Sequence, residues 1–333
     1  MTRSLADPTI SQYNQSMKLI QQQYRIDHEY AGQRLDQVIS LLLPEYSRSK
    51  IQAWIKEGFI HLNQQVCKPR QKVFANDLVA LEVPVVDRLT DTPQIIEFEI
   101  LHEDDDIFVI NKPANLVVHP AAGHEDGTLV NGLLNIDPQL KQLPRAGIVH
   151  RLDKDTTGVM VVARNLRAHH YLVDQIQQRL VKREYIAITQ GVVTAGRTIE
   201  TMMARHPVNR KKMSVQDDGK HAVTHFQVAK KFRFHSLIDV QLETGRTHQI
   251  RVHLAHIKYP LLGDPLYGGR ERLPSAISAE LAQLIRGFGR QALHARRLSF
   301  VHPQTAEDCQ YEAPIPDDFQ TLLDAIGNDS NYD

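Results

Sequence analysis

Apolar and polar positions along this chain repeat with two different periods, and the switches between them mark its elements. Leu35, Val38, Ile39 and Leu42 recur at helical spacing after Arg34-Leu35-Asp36, and Pro44 stops the run. Ser47 suits the N-cap of a second helix, with Ile51, Trp54 and Ile55 as its stripe and Gly58 at its left-handed end. Phe59 to Asn63, and the run from Leu78 to Val83, read as strands. Residues 24–84 therefore form a small module of two helices and a sheet. The polar, Gln-rich residues 1–23 read as a disordered tail, and 85–96 as a linker.

Beyond the linker, residues 97–320 form a larger domain, and 321–333 a C-terminal tail. Strand patterns fall at Ile107–Ile110, Ile148–His150, Gly158–Ala163, Arg183–Gln190, Ala222–Val228 and Leu237–Thr244. Helical patterns fall at Leu129–Leu134, Ala168–Leu180 and Thr247–Ile257. Strands outnumber helices and do not alternate regularly with them. The expected class is α+β, with a mixed, largely antiparallel sheet. No internal repeat is visible.

Composition narrows the picture. No apolar run approaches the roughly 20 residues of a membrane span, and the N-terminus lacks the apolar core of a signal peptide. Two distant cysteines, Cys67 and Cys309, support neither a disulfide framework nor a Cys-based zinc site, and fit a reducing cytoplasm. No metal site is expected. His253 and His256 read as surface or RNA-facing residues. The formal net charge of +0 hides an asymmetry: residues 141–260 carry 21 Lys/Arg against 9 Asp/Glu, or +12, while 87–140 carry 2 against 11, or −9. A basic block of that size suits a polyanion, and nucleic acid first.

Within the basic block, Gly147-Ile148-Val149-His150-Arg151-Leu152-Asp153-Lys154-Asp155-Thr156-Thr157-Gly158 sets one carboxylate, Asp153, in a polar turn between two apolar runs. It is either a loop Asp accepting backbone N–H bonds or a functional acid at the rim of a sheet. Tyr185, with Ala187 and Thr189, points to one face of its strand. It is either a half-buried aromatic or a ring on which a base stacks. Arg246, in Gly245-Arg246-Thr247-His248-Gln249-Ile250-Arg251, sits at a strand-to-helix junction. It either meets solvent or pairs with Asp153, which would favour the ionised acid.

The motifs carry two resemblances. Arg34-Leu35-Asp36, Ser47-Arg48, Gly58, Leu62-Asn63 and Lys68-Pro69 resemble an S4-type RNA-binding domain over residues 24–84. On that resemblance Arg48, Lys50 and Lys56 would meet phosphates, adding affinity without reading sequence. The His150-Arg151-Leu152-Asp153…Thr156-Thr157-Gly158 string resembles the signature of the RluA-type pseudouridine synthases, with Thr157 where many members have Ser. Asn111-Lys112-Pro113, Val117-Val118-His119-Pro120, the Gly245–Arg251 string and Pro260-Leu261-Leu262-Gly263-Asp264 extend the match, which covers about residues 24–320.

The resemblance implies isomerisation of uridine in large-subunit ribosomal RNA without a cofactor. Asp153 would be the essential carboxylate, Tyr185 would stack on the uracil, and Arg246 would pair with the acid. Arg151, His150 and Ile250 would bind the everted nucleotide. The expected partners are ribosomal RNA and the pre-ribosomal particle, met by a monomer. Three alternatives compete: a synthase of the same family acting on transfer RNA, a non-catalytic ribosome-assembly protein, and a glycoside hydrolase. A hydrolase needs a second carboxylate about 5–10 Å from the first.

Overall fold

A computed structural model describes residues 19–43, 46, 48–84, 92–120, 124–269, 273–274 and 276–330. The chain divides into two compact units, residues 1–88 and 89–333.

The first unit is a four-stranded antiparallel sheet, in the order β1-β4-β2-β3, with two helices. Its strands are β1 (Leu19–Arg25), β2 (Ile60–Leu62), β3 (Gln65–Val66) and β4 (Leu78–Pro84). The helices are α1 (Leu35–Leu42) and α2 (Arg48–Lys56). β1 overturns part of the expected tail: residues 19–25 pair with Leu78–Pro84, register Leu19 to Pro84. Residues 1–18, Pro44 and Ser47 lie outside the described residues. Leu35, Val38, Ile39, Ile51, Trp54 and Ile55 are buried together, so both helical stripes face one core. Gly58, at φ +79°, turns the chain out of α2 into β2.

The second unit is built on one large sheet, ordered β10-β9-β11-β12-β8-β13-β7-β6-β5, with β14 paired to β13. The strands are β5 (Glu99–Glu103), β6 (Ile107–Lys112), β7 (Thr157–Ala163), β8 (Lys182–Gln190), β9 (Arg197–Arg205), β10 (Met213–Val215), β11 (Lys220–Lys231), β12 (His235–Leu242), β13 (Leu293–Val301) and β14 (Asp308–Glu312). Every pairing is antiparallel except β7 with β13, which is parallel and short. The sheet is mixed and largely antiparallel.

Helices cover it on both faces. Phe108, Ile110, Met160 and Val162 pack with α3 (Leu129–Ile136). The alternate residues Ile107, Val109, Val159 and Val161 pack with α4 (Leu166–Gln177). Burial on both faces is why β6 and β7 read as unbroken apolar runs rather than alternating ones. β8 divides likewise. Tyr185 and Ala187 join the first core with α5 (Gln249–His256), while Ile186 and Ile188 meet α6 (Ala279–Phe288) and α7 (Asp317–Asp329). Each such buried aliphatic side chain is worth about 1.5–3 kcal/mol of transfer free energy.

Three expected elements come out differently. Residues 321–329 are no tail: Phe319, Leu322 and Ile326 of α7 are fully buried. Within the expected linker, Gln94 donates its backbone N–H to the Asn131 carbonyl and Asn131 Nδ2 donates to the Thr92 carbonyl. Those residues dock on α3 rather than run free. Ile148–His150 is not a strand. Only Ile148 bridges to Val162, and the Val161 N–H donates to His150 Nε2 at 3.2 Å. A ring nitrogen thus takes the place of the strand carbonyl. Arg145, Ala146 and Gly147, all at positive φ, bend the chain just before.

Candidate active site

Asp153 sits in the turn leading into β7, closed by the Thr156 N–H donating to the Asp153 carbonyl at 3.1 Å. The next residues are tied from two directions. Lys112, fully buried at the end of β6, donates to the carbonyls of Pro113, Leu116 and Lys154 at 2.7, 3.0 and 2.9 Å. Burial pushes the Lys112 ammonium down to about 7, against the pull of Asp155 and Asp153. Gln291 Nε2 donates to Thr156 Oγ1 at 3.0 Å, just ahead of β13. Gly158, at φ +117°, lets β7 approach β13, since a Cβ there would lie 2.1 Å from the Ala295 carbonyl oxygen.

The Asp153 carboxylate is 16% exposed and pairs with Arg251 of α5, whose Nη1 donates to Oδ2 at 3.0 Å. This corrects the expected partner. Arg246 is exposed and donates its Nε–H to the His221 carbonyl of β11 at 3.0 Å. The reason lies in the helix start. His248 takes a left-handed backbone, φ +56°, so α5 begins at Gln249 and not at Thr247. Buried Gln249 then staples the loop to β11. Its Oε1 accepts from Arg246 N and Thr244 Oγ1, and its Nε2 donates to Val223 O and Thr224 Oγ1. Arg246 is held on the loop while Arg251, less than two turns on, faces the acid.

Arg251 also forks onto Asp264, Nε to Oδ2 at 2.7 Å and Nη2 to Oδ1 at 2.9 Å. Burial opposes the Asp264 charge, but the Arg251 bonds and the Tyr267 and Leu266 N–H groups hold its carboxyl below the usual range. Burial likewise opposes the Arg251 charge, but Asp264 and Asp153 outweigh it and hold its pKa above the ordinary value. The guanidinium lies 5.1 Å from the ring centre of Tyr267. Tyr267 Oη accepts the Met213 N–H and meets His248 Nδ1, each at 2.8 Å. His248 Nε2 is 4.0 Å from Asp153 Oδ1.

Tyr185 and Ile250 are buried in the core shared with Leu152. Burial pushes the Tyr185 hydroxyl up to about 12; Arg183 pulls it down and Asp153 adds to the rise. Arg151 is exposed and close enough to His248 to weigh against its protonation. His150 is half-buried; desolvation, aided by Arg183, drives its pKa down to about 3, so it stays neutral in its bond to β7. That bond commits one ring nitrogen to the sheet. His253 is buried between Thr201 and Thr224, not on the surface as expected, whereas His256 is exposed.

In the first unit, Arg48 is half committed. Its Nε and Nη2 donate to buried Asp36, which also takes Arg34 and Gln52. Lys50 Nζ lies 5.3 and 5.1 Å from the Tyr46 and Trp54 rings, and Lys56 is exposed on the last turn of α2. Around Asp153 the structure gathers Arg251, Asp264, His248, Tyr267 and Lys112, none of them among the candidates read from the sequence. Four of these five lie inside the quoted motif strings. The signal was there as letters without a register, and Tyr267 had none.

A family model described as RNA pseudouridylate synthase matches residues 106–256, and one described as S4 domain matches residues 33–79. Fold and site thus define a pseudouridylate synthase domain behind an S4 domain. The chain is 52% identical to a "Ribosomal large subunit pseudouridine synthase D" of Pseudomonas aeruginosa, over 93% of this chain and 97% of the relative. A protein of the same name from Salmonella typhimurium is 48% identical over 91% and 94%. Among solved structures, "Human RNA Pseudouridylate Synthase Domain Containing 4" is similar at TM-score 0.54 and 27% identity, covering 69% of this chain and 93% of that one. The chain belongs to the RNA pseudouridylate synthase family.

Proposed function

We propose that this protein isomerises specific uridines of large-subunit ribosomal RNA to pseudouridine, with Asp153 as the carboxylate at the reacting sugar. The C1′–N1 bond breaks, a C1′–C5 bond forms, C5 gives up a proton and N1 gains one, so no external reactant is consumed. Asp153 serves by attack on C1′, by addition at C6 or by stabilising an oxocarbenium-like sugar. Each route needs a carboxylate with a fixed countercharge, which Arg251 supplies. Tyr185 packs against the uracil, Arg151 steadies the everted nucleotide, and the S4 unit adds phosphate contacts. The protein works in the compartment where the pre-ribosomal particle is assembled.

One observation carries the reading: the family's aspartate turn presents a partly exposed carboxylate, fixed on one oxygen by an arginine that a second, buried acid holds in place. A solvating loop Asp needs no such support, and a passive RNA binder gains nothing from it. Asp153→Asn is expected to keep rRNA affinity within about twofold and to lower isomerisation at least about a thousandfold. Mapping pseudouridine in a large-subunit fragment, beside a binding titration, checks both. Retained turnover, or release of free uracil by the wild type, would overturn the reading.

A further inference from the structure

The two oxygens of Asp153 have unlike surroundings. Oδ2 takes the Arg251 N–H at 3.0 Å, while Oδ1 faces His248 Nε2 at 4.0 Å. That is about 1 Å too long for a direct hydrogen bond. It is the spacing of two atoms that each bond a third between them, at about 2.8 Å from either.

The proton inventory says what the third atom must be. Tyr267 Oη already accepts the Met213 N–H, so its own proton is available to His248 Nδ1. The ring proton of neutral His248 then sits on Nε2, toward Asp153. The other tautomer would set a nitrogen lone pair against a carboxylate. Burial, Arg251 and Arg151 oppose a positive charge on the ring, while Asp153 and Asp264 favour one; the balance lowers its pKa. The ring is held by its left-handed backbone and by edge contact with Tyr267, centroids 5.6 Å apart. The gap therefore has a donor on one wall and an acceptor on the other. It fits a group that accepts and donates at once, which is a hydroxyl. Phosphate and carbonyl oxygens have no proton to give.

We propose that this gap seats the 2′-hydroxyl of the target ribose, accepting from His248 Nε2 and donating to Asp153 Oδ1, so that His248 makes the site select ribose over deoxyribose. In an internal nucleotide the 3′ and 5′ oxygens are esterified and lack protons. The 2′-hydroxyl is the one sugar hydroxyl left, and it lies on the carbon next to C1′. The inference rests on the reading of Asp153 as the carboxylate that meets the sugar.

The test uses the full-length protein and one large-subunit RNA fragment, made with uridine or with 2′-deoxyuridine at the target position. For each protein, the ratio of kcat/KM on the two strands is measured. Differences in intrinsic reactivity of the two sugars, and any loss of folded protein, cancel between ratios. The ratio in His248→Ala is expected to fall about tenfold or more below the wild-type ratio. His248→Gln, whose amide N–H reaches the Nε2 position, should recover part of it. Equal ratios in wild type and H248A overturn the proposal. No pseudouridine from the all-ribose strand with wild-type protein overturns the isomerase reading and this inference with it.

Discussion

At the scale of single residues, Arg251 and Arg246 separate cleanly. Arg251 bridges two acids, one of them buried, and removing it strands both. Arg251→Met is expected to cost about 3–5 kcal/mol of stability and to abolish turnover. Arg246→Ala should cost under about 0.5 kcal/mol, because its side chain holds only a surface carbonyl. Urea midpoints and single-turnover rates on the two variants check this; an Arg246→Ala as dead and as unstable as Arg251→Met would refute it. Asp153 stands out in the sequence as a carboxylate between two apolar runs, whereas Tyr185 is singled out only through the family resemblance. The partner of Asp153 was not legible, since the choice between two arginines five positions apart turns on one backbone angle at His248.

Secondary-structure elements show where pattern reading holds and where it fails. β6, β7, β8 and β11 read correctly because each carries a run of apolar residues. β9 carries little strand signal: only Ile199 and Met203 of its nine residues are buried, and Arg, Glu and Thr make up five of the other seven. α7 lies where a tail is expected, yet Phe319, Leu322 and Ile326 form a helical stripe. The parallel join of β7 to β13 rests on two residue pairs and one glycine. Gly158→Ala would force a Cβ onto the Ala295 carbonyl at a φ that alanine avoids. It should destabilise the unit by about 3 kcal/mol or more and slow turnover through displacement of the Asp153 turn. A thermal melt and a rate assay on that variant decide it; wild-type values for both would show the join to be loose.

For the whole molecule, acidity should distinguish the units. Burial drives His150 to about 3 and His235, His253 and His294 to about 4, all in the second unit. Their folded pKa values lie below the unfolded 6.5, so the unfolded chain binds more protons, and stability is lost as pH falls from about 6.5 toward 4. Asp36, in the first unit, is depressed as well, since bonds from Arg34, Gln52 and Arg48 outweigh its burial. Its contribution is lost only below the unfolded value of about 3.9. The second unit should therefore melt first on acidification. Trp54 is the sole tryptophan and lies in the first core, so its fluorescence follows that unit alone, while circular dichroism follows both. Coincident acid transitions by the two probes would contradict this.

The last helix also reaches back to the reactive turn. Asp318 of α7 grips Arg290 by Nε and Nη2 at 2.7 and 2.8 Å, and Arg290 and Gln291 together hold Asp155 and Thr156. The turn that carries the acid is therefore steadied by residues 135 positions further along the chain. Loosening α7 from Arg290 would slacken that turn from behind, so damage to a helix distant in sequence should register as lost activity.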